Sequence, residues 1–382
     1  MIPLAVPDLS GKEAAYLQEC VDSTFVSSVG PFVDRFQEMV AVAAGNKKGV
    51  ATSAGTTGLH LALSALGVGR DDLVILPSFT FIASANAIAH CGAMPWLFDI
   101  SAETWTLDPD LLREELASQV EKLGDRVVHR ASGRRIAAML PVHMLGMPAD
   151  MDPLVKIARE WEIPIVADAA AALGATYKGR KVGETGADLS VFSFNGNKTV
   201  TAGGGGMVTG DSPELMDLVR HLSTTARRGS DYVHDRVGFN YRMTNLQAAV
   251  GCAQMERLEV FLGAKRRIRK TYDDAFRSLP GIGLFPAPAF SESACWFAGI
   301  TVDGLDRPPV GEIQGRLRQA GIDARSFWMP MHLQPPYAAS PRTAMPVADG
   351  LWRRVLTLPC STGLSAVDQV RVIDAVRAAL GA

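Results

Sequence analysis

The 382-residue sequence predicts an α/β fold: a large, mostly parallel sheet sandwiched by helices, followed by a smaller α+β domain. Three observations predict it. Short apolar runs alternate with helix-period segments through about residue 210, as βαβ units do. One of those runs, Leu73-Val74-Ile75-Leu76, has the unbroken apolarity of a buried strand and stops at Pro77. The chain is also too long for one simple core, so residues 1–250, with the N-terminal segment, are expected as the large domain and 251–382 as the small one.

The elements follow in order. Residues 10–22 read as a short surface helix, and a second helix ends near Ala44. Between them lies Phe25 to Phe32, a loop too apolar for a plain linker. Gly49 to Thr52 is a strand that runs into Ser53-Ala54-Gly55-Thr56-Thr57-Gly58 and a helix. Ser78 to Ile88 reads as a helix, Pro95 to Asp99 as a strand and Pro109 to Leu123 as a helix. Arg135 to Val142 is a strand followed by His143, and Asp152 to Trp161 is a helix. Pro164 to Ala167 is a strand that ends at Asp168. Beyond a helix over Pro213 to Leu222, one long helix is expected from Asn245 to about Arg277, its apolar residues spaced i, i+3, i+4, i+7. Strand Trp296 to Val302 and helices Val310 to Ala320 and Val367 to Leu380 make up the remainder.

A net charge of −2 and 47% hydrophobic residues exclude a strongly basic nucleic-acid footprint. The N-terminus lacks a basic region followed by a long apolar core, so neither a signal peptide nor a membrane span is expected. Five dispersed cysteines without metal-ligand spacing suggest reduced thiols, a cytoplasmic protein and no metal site.

The chemistry centres on Ser190 to Val208, SVFSFNGNKTVTAGGGGMV. An apolar strand leads to a polar turn, one lysine, Lys198, and the glycines Gly203 to Gly206. A glycine run beside a strand lets another group come close. A lysine screened from water loses its proton and becomes a nucleophile, the requirement for a Schiff base. Nucleotide loops fail on spacing. A P-loop needs Gly directly before Lys, and here Asn197 stands there. A dinucleotide fingerprint leads into a helix, whereas these glycines lead into Met207-Val208-Thr209, another strand. The small and hydroxyl residues Ser53 to Gly58 at a helix start would expose N–H groups to an anion, most often phosphate; an ordinary Ser/Thr cap is the plain alternative. Phe81 would stack on a flat ring or fill the core. In parallel sheets ligands sit at the carboxyl ends of strands, and Thr56, His143, Asp168 and Lys198 all follow strands there. A phosphate cradle, an aromatic plate, a strand-end acid and a lysine about 30 residues after it match pyridoxal phosphate.

These segments resemble the vitamin-B6-dependent nucleotide-sugar aminotransferases of the DegT/DnrJ/StrS family, over nearly the whole chain. The resemblance is carried most specifically by SFNGNKTVTAGGGGMV and VGFNYRMTN, with support from FVSSVGPFVDRFQ, AGTTGLHLAL, PVHMLGMPADMDPL and LPCSTGLS. It implies the fold-type-I aminotransferase architecture and a homodimer with shared active sites. It also implies that Lys198 is the Schiff-base lysine, that Asp168 partners the ring nitrogen, and that Thr56, Thr57 and Ser193 hold the phosphate. Phe81 would stack on the ring, and Asn240 would reach the phosphate from the neighbouring subunit. One departure is Ala171, where many members carry Gln or His against the ring oxygen. Lys198 itself speaks against the sister group that removes a hydroxyl and carries His there. L-Glutamate is the expected amino donor. The segments GDRVVHRASGRRIAAMLPVH, HLSTTARRGSDYVHDRVGFNYRM and LPCSTGLS look like the subgroup acting on UDP-linked 4-keto-6-deoxy-N-acetylhexosamines. GDP-4-keto-6-deoxymannose, the perosamine route, is the alternative, and a cofactor-binding regulator without turnover is a further one. Ser27, Ser28, Arg325 and His332 are the expected substrate contacts; a surface ion pair is the plain alternative for Arg325.

Overall fold

A computed structural model describes residues 1–303 and 307–381. Its central sheet has seven strands: β1 (Lys48–Thr52), β2 (Leu73–Pro77), β3 (Met94–Phe98), β4 (Ile136–Met139), β5 (Val166–Asp168), β6 (Leu189–Ser193) and β7 (Gly206–Gly210). Their spatial order is β1-β7-β6-β5-β4-β2-β3, with β4 and β5 joined through the parallel bridges Met139–Ile165 and Val142–Asp168. All neighbours run parallel except β7, which is antiparallel to both β1 and β6. The β2 residues are all buried, as their unbroken apolarity requires.

Helices cover this sheet: α1 (Glu13–Asp22), α2 (Pro31–Ala44), α3 (Gly55–Ala65), α4 (Ile82–His90), α5 (Pro109–Gln119), α6 (Met151–Trp161), α7 (Pro213–Ser223) and α8 (Asn245–Met255). A second, antiparallel sheet follows, β8 (Ile282–Leu284), β9 (Ala298–Val302), β10 (Arg325–Ser326) and β11 (Val355–Leu358), in the order β8-β9-β11-β10. It packs with α9 (Leu258–Phe276), α10 (Val310–Gln319) and α11 (Ala366–Leu380). Ile2 and Leu4 belong to this C-terminal core although the sequence places them with the large domain. The Ile2 N–H donates to Gly321 O at 2.8 Å, and the Cys360 N–H to Leu4 O at 2.7 Å.

Two expected helices are corrected. The long helix breaks between Met255 and Leu258, because side chains at the break are tied to the N-terminal region. Arg257 forms an ion pair with Asp8 at 2.9 Å, and Glu256 binds Arg35 at 2.6 Å and Lys12 at 3.0 Å. Helix α5 stops at Gln119 because Val120–Leu123 pairs as a strand with Arg126–His129, burying Val120 and Val127. That hairpin holds Gly124 to His129 of the segments read above as a substrate signature, and none of these six residues reaches the cavity described next.

Candidate active site

A cavity of about 590 Å³ opens at the carboxyl ends of the central strands. Thr56, His143, Asp168 and Lys198 all line it, so the four strand-end features do converge. Asp168 ends β5, one strand from β6, whose chain continues to Lys198; the register sets Asp168 beside Val191. Ser84 on α4 donates its hydroxyl to Asp168 Oδ2 at 2.7 Å, and the Ala170 N–H donates to Oδ1 at 3.1 Å. Burial raises the Asp168 carboxyl above its ordinary range, against the pull of those two bonds and of Lys198. Lys198 is half-buried by surface area, its tip facing the cavity rather than bulk water. Burial pushes its amine down to about 7, with the Asp168 charge opposing. Its Nζ lies 3.5 Å from the centre of the Trp296 ring.

The expected phosphate cradle is formed by the start of α3. Ser53, Ala54, Gly55 and Thr56 line the cavity together with Ser193. First-turn N–H groups of a helix lack carbonyl partners in the helix and stand at its positive end. Backbone approach is close here: a Cβ on Gly55 would lie 2.9 Å from Ser193 Cβ, and one on Gly206 would lie 2.5 Å from Ala54 O. The glycine run thus brings β7 against the beginning of α3, as its composition suggests. Thr57 departs from the expectation. Its hydroxyl accepts from the Ala54 N–H at 3.0 Å and donates to Ala54 O at 2.8 Å, so it caps α3 and does not line the cavity.

Phe81 is the extended residue just before α4 rather than part of the helix. It is 51% exposed, on the cavity wall, with its ring centre 5.2 Å from that of Trp328. Ala171 lines the cavity too, and the loop after β4 lies against it: a Cβ on Gly146 would come 2.8 Å from Ala171 O. That loop carries His143, whose Nδ1 accepts from the Ala149 N–H at 3.1 Å, so the neutral ring holds its proton on Nε2. Nε2 is buried and has no partner among the described residues, and burial holds the ring's titration down to about 4.

Other expected contacts fall elsewhere. Arg325 does line the cavity, at its rim, and is also paired with Asp323 at 3.0 Å. His332 does not line it. Its ring joins Ser78 at 2.7 Å and Asp349 at 2.9 Å, so both nitrogens are spent tying the end of β2 to the C-terminal part. Ser27, Ser28 and Asn240 also lie outside the cavity of the single chain, Ser27 and Asn240 being exposed. Ser84, Trp296 and Trp328 were not anticipated. A serine in a helix and tryptophans in a distant segment give no local signal; only the folded chain joins them to Asp168 and Lys198.

These residues fit pyridoxal phosphate. A glycine-lined helix start suits the phosphate, a strand-end carboxylate suits a ring nitrogen, and Lys198 is an amine near neutrality. Fold and site together define a vitamin-B6-dependent aminotransferase of fold type I. The chain matches the model of the DegT/DnrJ/EryC1/StrS aminotransferase family over residues 7–377 and belongs to that family. It is 39% identical over 380 residues to a GDP-perosamine synthase of Caulobacter vibrioides, covering 98% of this chain and 97% of that one. It is 36% identical to the dTDP-3-amino-3,4,6-trideoxy-alpha-D-glucose transaminase of Streptomyces venezuelae, over 91% of this chain and 87% of that one. The crystal structure of DesV from S. venezuelae, in complex with a ketimine intermediate, superposes with a TM-score of 0.85 at 32% identity, covering 98% of both chains. Pyridoxal phosphate is the cofactor. Among the described residues no helix is long and apolar enough to cross a membrane.

Proposed function

We propose that this chain moves an amino group from L-glutamate to the keto carbon of a GDP-linked 4-keto-6-deoxy sugar, with GDP-4-keto-6-deoxymannose as the acceptor. The observation that carries the transfer is the shared cavity of Lys198 and Asp168, each at the end of a neighbouring strand path. The choice of nucleotide reverses the order read from the sequence. UDP-linked N-acetylhexosamines came first there, on segments of which only Val142 and His143 line the cavity. The GDP-perosamine synthase relative at 39% identity now favours the GDP-linked sugar.

Pyridoxal phosphate supplies an aldehyde to take up the amino group and a ring to accept the electrons of the broken bond. The chain's residues do the rest. Lys198 bonds the cofactor, and its Nζ, once displaced, accepts and returns the proton at the reacting carbon; an amine titrating near 7 does both at neutral pH. Asp168, held by Ser84 and the Ala170 N–H, keeps the ring nitrogen protonated. Thr56, Ser193 and the start of α3 hold the phosphate, Phe81 stacks on the ring, and Arg325 at the rim meets the sugar nucleotide. Ser27, Ser28 and Asn240 act across the interface of a homodimer, which accounts for their place outside the single-chain cavity. A division near residues 250 and 251 and a cytoplasmic location complete the proposal.

The test offers GDP-, UDP- and dTDP-linked 4-keto-6-deoxy sugars to the amino-loaded protein and follows the return of the aldehyde absorbance. Faster return with the GDP-linked sugar is expected. A preference for UDP-linked sugars would reinstate the first reading.

A further inference from the structure

Trp296 touches Lys198 at both ends. Its ring face lies 3.5 Å from Nζ, and its Nε1–H donates to the carbonyl of Asn197, one residue before the lysine, at 2.8 Å. An ammonium over an indole face is attracted by the ring's negative quadrupole. The ring itself is fixed. Trp296 is 3% exposed, its N–H donates to Leu145 O at 3.1 Å, and its carbonyl accepts from the buried Lys265 at 3.0 Å. Lys265 also donates to Cys360 O at 2.7 Å, and Phe297 stacks on the indole at 4.1 Å between centres. Ordinary core packing does not need a polar edge aimed at the one peptide that leads into Lys198.

Four other titratable side chains line the cavity with this amine, and among them the charge of Asp168 acts on it. Asp168 ends β5, neutral His143 follows β4, and the Asp323–Arg325 pair sits at the rim. Lys265 stands behind the Trp296 peptide with two carbonyls satisfying it. No further titratable side chain lines the cavity among the described residues.

We propose that Trp296 is a positioning residue, the seat on which Lys198 rests whenever it is not bonded to the cofactor. The inference rests on Lys198 being the bonding amine. It gives the displaced lysine one place from which to exchange its proton and to re-bond, so the amine neither swings into the sugar site nor takes on water.

The experiment measures how fast pyridoxal phosphate attaches to the cofactor-free, full-length protein, by absorbance from about pH 5 to about pH 9, where a depressed lysine titrates. The midpoint reports the Lys198 amine, and the high-pH plateau reports its orientation. Trp296→Leu removes face and edge, so its midpoint falls by about one pH unit. Trp296→Phe keeps a face and holds its midpoint near that of the parent chain. Both lose the bond to Asn197, so both plateaus drop about tenfold. A midpoint in Trp296→Leu equal to or above the parent's, or plateaus unchanged in both variants, overturns the proposal. Lys198→Ala separates the two readings: attachment that survives in it refutes the lysine assignment itself.

Discussion

Replacing Lys198 with Met removes an amine and keeps the stem, and the structure sets how stability should respond to pH. The amine titrates at about 7 in the folded chain against 10.5 when free. At about 1.4 kcal/mol per unit, the ceiling on this cost of folding is about 5 kcal/mol. Because the tip faces a solvent-accessible cavity, screening brings the expected figure to about 2–3 kcal/mol. The sign follows from proton counts. Between about pH 7 and pH 10.5 the unfolded chain holds a proton that the folded chain has lost, so stability of the parent rises with pH there. Below 7 both states are protonated and the full penalty stays. Lys198→Met should therefore exceed the parent most near pH 6 and lose that advantage by about pH 10. Urea unfolding of both cofactor-free proteins, followed by circular dichroism at about pH 6, 8 and 10, measures the difference. Losing Lys198 also raises the Asp168 carboxyl further, which offsets part of the gain but adds no slope in the alkaline range. A difference that stays flat from pH 6 to 10 would show that the amine is not dehydrated and would refute the reasoning.

Three further outcomes are expected. Ser84→Ala removes a 2.7 Å bond to a buried carboxylate, worth about 1.5–3 kcal/mol, so cofactor affinity by equilibrium dialysis should fall about tenfold or more; unchanged affinity would mean that Asp168 is not held for the cofactor. Gly206→Ala drives a Cβ against the Ala54 carbonyl, and a stability loss of about 1–3 kcal/mol should show as a lower melting temperature together with weaker cofactor binding. His332→Ala should cost about 1–3 kcal/mol in stability, since one buried hydrogen bond and one to a half-exposed carboxylate go, while KM for the sugar nucleotide stays put. A raised KM there with intact stability would return His332 to the substrate site.

What the sequence made legible was local. Alternating apolar and helical periods identified the α/β order, and strand ends identified Thr56, Asp168 and Lys198, because a residue after a parallel strand has little choice of which rim it joins. The glycine run was legible for the same reason: a missing Cβ announces a close neighbour, here the Ala54 carbonyl. Illegible were pairings made over long separations. Ser84 and Asp168 meet only after four strands are ordered, and Trp296 meets Lys198 only when the second sheet docks. His332 misled because it was expected at the substrate on resemblance, while its ring is taken by Asp349 and by Ser78, the latter 254 residues away in sequence. The break at Glu256–Arg257 was hidden likewise, its cause being acid and base groups in the first 35 residues.

The bond between Leu4 and Cys360 has a temporal meaning. Pro3 to Val6 form part of the cavity wall, yet Ser361, which holds Val6, is translated 355 residues after it. That part of the wall stays open until Cys360 and Ser361 have been translated. Vitamin B6 therefore has to be retained late in synthesis, and fragments ending before residue 355 should fail to hold it.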